Sequence, residues 1–301
     1  MFICYLLNMP KMETLVTDIN DFSFFKKPKD FVKINKRIEW LVAIYNFCIY
    51  GVITLYSILS YTEKSECLEE NEKFEKDKIC GLLANTWMAI DLTRSPINEI
   101  FICLQTYSGW VFMVGGINMF SFVFACIENL ILRLNVIKAI MQEMFESDSE
   151  SEKRRLLNYC IRYHVNVIEF IHRLNAAFRS VTFASISLFS LLMALAAYQF
   201  INVPSVKALL HFQGFFLTWF IICFMGQRII TQSLEFNAFL YNTPWYTQSV
   251  SIQKDFLMVL RRSQFPLEIW AGPFATMSFP TFQLVMRNTY TFVTVLSMAL
   301  E

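Results

Sequence analysis

Charged residues are scarce in this chain. Only 17% of its 301 residues are Asp, Glu, Lys or Arg, whereas 55% are hydrophobic and 31 are Phe. A soluble domain is about a quarter charged, so this composition indicates a membrane protein. The net charge is only +1, which gives no reason to expect nucleic acid as a partner.

Catalytic and cofactor-binding motifs are also missing. The sequence contains no His-Glu-x-x-His, no phosphate-binding glycine loop and no Gly-x-Ser-x-Gly elbow. Cys160 and His164 are one helical turn apart, but no third ligand-type residue follows at a usable spacing. We therefore expect no enzymatic activity, no cofactor and no metal, and we interpret His164 as a structural residue.

Long uncharged runs indicate where the chain crosses a bilayer. Each is close to the ~20 residues that a helix needs to cross the hydrocarbon, where only a helix or a closed barrel satisfies the backbone. The last run is weaker because Arg287 interrupts it. The predicted spans are Trp40–Tyr61, Ile100–Ile127, Ser180–Val206, Ala208–Gln227 and Ser278–Leu300. The expected fold class is an all-α polytopic membrane bundle with about five complete transmembrane helices.

The distribution of basic residues orients this bundle. The stretches Lys11–Arg37, Arg133–Arg179 and Arg228–Arg262 together hold nineteen Lys and Arg, whereas the alternate loops hold six. The positive-inside rule places the first set in the cytoplasm, so the C-terminus is expected to be extracellular. Cys67 and Cys80 then share an extracellular loop and are candidates for a disulfide.

Two further segments show helical periodicity outside the spans. Apolar residues recur at helical spacing from Leu156 to Phe178, so a cytoplasmic helix is expected to continue into the following span. Between Gln248 and Gln264 an apolar stripe that includes Phe256 and Leu260 is opposed by charged residues. This pattern is typical of a helix that lies at a membrane interface or binds a partner.

The last quarter of the chain contains an ordered set of residues that comprises Gly226-Gln227, Ser233, Tyr241, Trp245-Tyr246, Lys254, Arg262-Ser263-Gln264, Pro266, Ala271-Gly272, Phe274, Phe282, Tyr290 and Thr294. This set resembles the C-terminal signature of insect odorant receptors. The resemblance implies one odorant-receptor transmembrane domain over residues 1–301. Family members have seven transmembrane helices, so this chain is expected to be a truncated form that lacks the first helix and most of the second. A true five-helix protein is the alternative.

The resemblance also implies a function. The chain is expected to bind small volatile ligands and to gate a non-selective cation channel together with the odorant receptor coreceptor. The assembly would be a heterotetramer in the plasma membrane of olfactory sensory neurons. Residues 226–270 would form a cytoplasmic anchor segment and residues 278–300 the pore-lining helix. Subunit contacts are expected at Tyr241, Trp245, Phe256 and Leu260, and the pore constriction at Thr294, Val295, Met298 and Ala299.

Candidate odorant-binding residues are polar and aromatic side chains near the outer ends of the spans. Small apolar ligands suit aromatic walls that carry a few polar groups. The candidates are Tyr50, Thr54, Ser57, Gln105, Ser108, Phe112, His211 and Phe215. Arg287 is expected to face a neighbouring helix or a wide cytoplasmic vestibule, because four cations in a narrow pore would oppose cation conduction.

Other classes of membrane protein are weaker alternatives. Thr289-Tyr290 resembles the start of the gustatory receptor signature, but Ser297-Met298 stand where that signature ends in Gln-Phe. A G-protein-coupled receptor would require an external N-terminus, and neither Asp-Arg-Tyr nor Asn-Pro-x-x-Tyr is present. A transporter would tend to show inverted repeats with broken helices, which the sequence does not.

Overall fold

The computed structural model describes residues 2–74, 79–83, 86, 92, 94–202 and 205–300, and most of these residues are helical. The helices in this part of the chain are α1 (Phe2–Asn20), α2 (Phe31–Thr62), α3 (Lys64–Phe74), α4 (Ile97–Glu146), α5 (Glu150–Asn202), α6 (Val206–Tyr241), a 3-10 turn (Trp245–Thr247), α7 (Val250–Ser263) and α8 (Phe279–Leu300). Strands β1 (Trp270–Ala271) and β2 (Ala275–Thr276) pair antiparallel as a short hairpin.

Three of the five predicted spans lie inside these helices, and Ser278–Leu300 begins one residue before α8. By length and composition, α2, α4, α5 and α6 are able to cross a membrane. Helix α8 has 22 residues, but Arg287 and its polar neighbours leave it without a stretch as apolar as those in the other four helices. The run Ser180–Val206 extended too far, since α5 ends at Asn202 and α6 begins at Val206. An uncharged run indicates which residues lie in the membrane, but it does not indicate where a helix ends. The predicted all-α polytopic fold is confirmed.

Two of the helices are much longer than a bilayer requires. Helix α4 has 50 residues and α5 has 53. At 1.5 Å per residue each is about 75–80 Å long, against ~30 Å for the hydrocarbon core. The charged half of α5, from Glu150 to Arg179, is therefore a continuous extension of the following span. This confirms that the helix predicted from Leu156 to Phe178 continues into the following span.

The first of two compact units contains residues 1–35, 123–198 and 214–301. Its core forms where the charged halves of α4 and α5 pack, because apolar side chains recur there every three or four residues. The buried residues along these two helices include Ile137, Met141, Met144, Cys160, Tyr163, Val167, Phe170 and Leu174.

The second unit contains residues 36–122 and 199–213. Its loop is organised around the fully buried amide of Asn98. The Nδ2 atom of Asn98 donates to the carbonyl oxygens of Cys80 (3.1 Å) and Leu92 (3.0 Å), and its Oδ1 accepts from Nζ of Lys64 (2.9 Å). A disulfide joins Cys67 of α3 to Cys80 of the same loop, with the Cα atoms 5.7 Å apart. The prediction of one transmembrane domain over residues 1–301 stays a prediction.

Candidate ligand pocket and pore helix

A pocket of about 420 Å³ lies between α2 and α4 in the second unit. Its walls expose only apolar atoms, and its volume is that of a site for a small molecule. The lining residues are Thr54, Ser57, Ile58, Tyr61, Ile102, Cys103, Thr106, Tyr107 and Trp110. Of the eight predicted ligand-binding residues, Thr54 and Ser57 line this pocket.

The hydroxyl groups of the pocket wall are bonded to protein atoms. Oγ1 of Thr106 lies 2.8 Å from Oγ of Ser57, which itself donates to the carbonyl oxygen of Ile53 at 2.9 Å. Oγ1 of Thr54 donates to the carbonyl oxygen of Tyr50 at 2.7 Å. Because their hydrogens point to these acceptors, the hydroxyls leave mainly carbon atoms facing the pocket. The wall therefore suits an apolar ligand.

Trp110 is the lining residue with an unused polar group. Its Nε1 atom is buried and has no hydrogen-bond partner. The ring of the predicted residue Tyr50 packs edge-on against it, with the ring centroids 5.6 Å apart. Tyr50 therefore positions a wall residue but does not line the pocket itself. Because the pocket walls expose only apolar atoms, this N–H does not reach the pocket.

Three predicted ligand-binding residues on α4 do not line this pocket. Gln105 is turned to the loop, where its Oε1 accepts from the amide of Leu83 (3.0 Å) and its Nε2 donates to Oγ1 of Thr86 (2.8 Å). Ser108 is exposed and bonds to its own helix. Phe112 is 66% exposed. Their polar or aromatic type suggested a ligand site, but their helix faces point elsewhere.

The two predicted residues on α6 also lie away from this pocket. In the second unit, the His211 ring packs against the Tyr56 ring, with centroids 5.0 Å apart. In the first unit, the Phe215 ring packs edge-on against Phe189 at 6.1 Å. Both side chains therefore have aromatic packing roles in the structure.

Several lining residues were missed although helical spacing would have found them. A search by residue type considers each residue alone, whereas a pocket wall is one face of a helix. The residues at i, i+3, i+4 and i+7 that form the two walls are Thr54, Ser57, Ile58 and Tyr61 on α2, and Cys103, Thr106, Tyr107 and Trp110 on α4.

Helix α8 has one buried face and one exposed face. Thr281, Val285, Thr289 and Val293 recur every fourth residue and are buried within the chain. The predicted constriction residues Thr294, Val295 and Met298 are exposed, and the side chain of Ala299 lies outside the described residues. The three described candidates therefore point away from this chain's own core.

The exposed face of α8 is polar over much of its length. Its residues include Gln283, Arg287, Thr291, Thr294 and Met298. Polar and charged side chains at membrane depth are costly against lipid, so they normally face water or protein. Arg287 and Met298 are eleven residues apart, about 16 Å along the helix axis. Arg287 thus lies toward the N-terminal end of the face that carries the constriction candidates.

The β1–β2 hairpin fixes the start of α8 against α5. Nδ2 of Asn175 donates to the carbonyl oxygen of Glu268 (2.8 Å), and its Oδ1 accepts from the amide of Trp270 (2.7 Å). Arg179 and Gly272 are joined twice, through Nε to the Gly272 carbonyl (2.9 Å) and through the Gly272 amide to the Arg179 carbonyl (3.1 Å). Four hydrogen bonds therefore attach the hairpin backbone to one side of α5.

Helix α6 approaches the other side of the same junction. A Cβ atom on Gly226 would lie 2.0 Å from the carbonyl oxygen of Met277, so only glycine allows this approach. The next residue, Gln227, accepts a hydrogen bond from the amide of Phe279 at 3.2 Å. The residues Gly226-Gln227, which carried the sequence resemblance, thus lie at the point where α8 begins.

The predicted amphipathic helix is present as α7, but its apolar stripe packs inside this chain. Phe256 is 0% exposed and stacks on Trp245, with the ring centroids 6.2 Å apart. Phe256 also packs edge-on against Phe145, and Leu260 is buried. The sequence pattern suggested that these two residues contact another subunit. In the structure both are buried within the chain and do not face outward. Of the predicted contact residues, Tyr241 is 68% exposed and Trp245 is half-buried.

His164 is a packing residue in the charged half of α5. It is buried, and its ring lies against Phe236 with the centroids 5.3 Å apart. Burial, together with the nearby charge of Arg262, lowers the pKa of His164 to about 4. Its imidazole is therefore neutral at physiological pH. Within the described residues, no group of three metal-binding side chains occurs.

The chain is similar to odorant receptors of known sequence. Odorant receptor 47b of Drosophila melanogaster is 28% identical over 149 residues, which cover 46% of this chain and 36% of that protein. Odorant receptor 67c of the same organism is 23% identical over 285 residues, covering 90% of this chain and 67% of that protein. The matched regions thus span about a third to two thirds of these relatives.

The fold is similar to that of a solved olfactory receptor. Olfactory receptor OR5 from Machilis hrabei in complex with eugenol superposes with a TM-score of 0.76 at 17% identity, covering 99% of this chain and 77% of that chain. A second solved structure of the same receptor superposes with a TM-score of 0.74. At this identity the similarity establishes the helical membrane-receptor fold.

A protein-family model matches nearly the whole chain. The model described as 7tm Odorant receptor matches residues 2–290. The reported matches are to odorant receptors, which are receptors and not enzymes, and they favour this class over the gustatory alternative. The resemblance predicted from the C-terminal residues is confirmed, and the chain belongs to the odorant receptor family.

Proposed function

We propose that this chain is the ligand-binding subunit of a non-selective cation channel that opens when a small volatile compound binds. The observation that carries this proposal is the exposed face of α8, where Gln283, Arg287 and Thr291 are polar on a helix that we propose crosses the membrane. Lipid would not tolerate that face well, whereas a water-filled pore would. Four such helices around an axis would form a conduction path.

The size and walls of the α2–α4 pocket indicate which kind of ligand would bind there. Its volume of about 420 Å³ and its apolar walls suit a compact, mostly hydrocarbon molecule. We therefore expect small, mostly hydrocarbon volatiles to be better ligands than polar compounds of the same size.

The constriction is expected near the outer end of α8. Val295 and Met298 are apolar and exposed there, and an apolar ring blocks ions by dewetting without any charge. Ligand binding opens such a ring only to the extent that the ligand prefers the open state. Arg287 lies deeper, where a wider vestibule would accommodate it.

The proposed partner is the odorant receptor coreceptor, in a heterotetramer in the plasma membrane of olfactory sensory neurons. Residues 226–270 remain the proposed anchor segment, with Tyr241 exposed for a partner. Phe256 and Leu260 support this segment from within the chain by holding α7 in place. The C-terminus is proposed to be extracellular, as the basic loops predict.

The gate assignment is tested by Val295→Ser. A hydroxyl on the exposed face is expected to wet the constriction and raise the ligand-free current when the variant is co-expressed with a coreceptor. The matched control is Val293→Ser, the same chemical change on the buried face of α8. That variant is expected to lower surface expression without raising the basal current per channel. Wild-type basal current in Val295→Ser, at normal surface expression, would contradict a pore-lining role.

The pocket assignment is tested by Cys103→Phe. Cys103 lines the pocket, so a phenyl ring there should occupy ligand space and raise the half-maximal ligand concentration about tenfold or more. The control is Ser108→Phe, on an exposed position of α4 that the sequence suggested but the pocket does not include. A normal response from Cys103→Phe beside an impaired Ser108→Phe would move the ligand site to the face of Ser108.

A further inference from the structure

The outward face of α2 begins with three basic side chains and an aromatic one. Lys33, Lys36 and Arg37 stand at i, i+3 and i+4 and are exposed, so they share one face of the helix. Trp40 follows at i+7 on that face and is 72% exposed. Ile38, on the opposite side of the helix, is buried. The arrangement follows from the periodicity of a single continuous helix.

The positive charge of this face is not neutralised within the described residues. Lys33, Lys36 and Arg37 form no ion pair there, and the first turn of α2 contains no acidic residue. The helix dipole adds positive character at this end, which makes cations there unfavourable unless an anion is present. Asp30 precedes the helix, and Glu39 points to the side of the basic face. A net excess of positive charge therefore faces outward.

The same face becomes apolar immediately after Trp40. Ile44 and Phe47 continue it and are exposed over more than half of their surface. The step from Lys33 to Trp40 is about 10 Å along the axis, and the step from Trp40 to Phe47 is another ~10 Å. Basic, aromatic and apolar levels thus follow one another in the order of headgroup, interface and hydrocarbon in an inner leaflet.

We propose that this face of α2 is a binding site for an anionic phospholipid of the inner leaflet. Lys33, Lys36 and Arg37 hold the phosphate groups, and the planar guanidinium of Arg37 offers two parallel donors to one phosphate. Trp40 lies at the level of the glycerol backbone, and an acyl chain runs along Ile44 and Phe47. This site is separate from the α2–α4 pocket and does not depend on ligand-gated conduction.

The test is lipid binding to the purified full chain in zwitterionic detergent micelles. A short-chain phosphatidylinositol 4,5-bisphosphate is titrated into the wild type and into the triple variant Lys33→Gln, Lys36→Gln, Arg37→Gln. A basic side chain near an anionic surface contributes about 1 kcal/mol, so losing three is expected to weaken binding at least tenfold. Short-chain phosphatidylcholine is expected to show no difference between the two proteins.

A matched control separates this site from net charge. The variant Arg162→Gln, Lys254→Gln, Arg261→Gln removes three exposed basic residues from the other two segments that are predicted to be cytoplasmic. It is expected to bind the anionic lipid like the wild type, and equal weakening of both triple variants would overturn the proposal. Soluble inositol 1,4,5-trisphosphate is expected to bind at least tenfold more weakly than the lipid. Equal affinity for the two would show a phosphate site without a lipid and would also overturn it.

Discussion

Replacing Gly226 with alanine is expected to prevent α6 from packing against the start of α8. The added methyl group would lie 2.0 Å from the carbonyl oxygen of Met277 and 2.4 Å from its Cβ. A backbone carbonyl does not move aside as a flexible side chain does, so the helices must separate. Overpacking of this kind typically costs 1–3 kcal/mol, and we expect an effect of at least about 3 kcal/mol here because the backbone must shift.

Gly214→Ala is the matched control for this substitution. Gly214 lies twelve residues earlier on α6, and a Cβ atom there would meet nothing within 4 Å. Alanine at a helical glycine with free space is favourable by roughly 0.5–1 kcal/mol. Surface expression and the monodisperse fraction in detergent should therefore fall sharply in Gly226→Ala and be maintained or improved in Gly214→Ala. Similar values for the two variants would contradict the close approach of α6 to Met277.

The membrane-spanning helices were predictable because the hydrocarbon core of a bilayer disfavours charged residues, so each span is visible as an uncharged run. A run without charge is recognisable at any position, and four of the five runs lie in helices that are long and apolar enough to cross a membrane. The disulfide was also accessible as a candidate, since Cys67 and Cys80 are close in sequence and share a loop. Composition did not mark the helix ends, because charge-free residues occur on both sides of Asn202.

The pocket was predicted only in part because its walls are defined by helix faces. Thr54 and Ser57 were found by residue type, whereas the opposite wall on α4 was missed. The sequence gives the spacing along each helix but not the rotation of one helix against another. Similarly, the stripe on α7 that includes Phe256 was recognised as apolar, but no local pattern could show that it packs within the same chain.

Counting basic residues along the sequence oriented the bundle, but it did not show that one of these residues, Arg133, is buried. Arg133 was counted among the cytoplasmic surface charges, but its side chain is only 3% exposed. Its guanidinium donates to the carbonyl oxygens of Asp18 (2.9 Å) and Ile19 (3.2 Å), and to Oδ1 of Asn166 (2.9 Å). The last carbonyl groups of a helix lack partners within the helix, so Arg133 satisfies the end of α1. It thereby ties α1 to both α4 and α5.

Replacing Arg133 with methionine is expected to release the end of α1. The substitution keeps an apolar stem but leaves three acceptor oxygens without their donor, and removing one partner from a buried polar network costs about 3–5 kcal/mol. The midpoint of thermal unfolding in detergent should fall, and amide hydrogen exchange should rise in peptides from the second half of α1. Arg133→Lys supplies one ammonium group in place of the planar guanidinium and should recover only part of the loss.

The control for Arg133→Met is Arg162→Met, which removes an exposed arginine from the neighbouring helix α5. Surface substitutions of this kind usually change stability by no more than about 0.5 kcal/mol, so its unfolding midpoint should stay near that of the wild type. The argument fails if both variants unfold at the same temperature and exchange around Ile19 is unchanged in Arg133→Met. In that case water or neighbouring side chains would satisfy the end of α1, and Arg133 would be dispensable for its attachment.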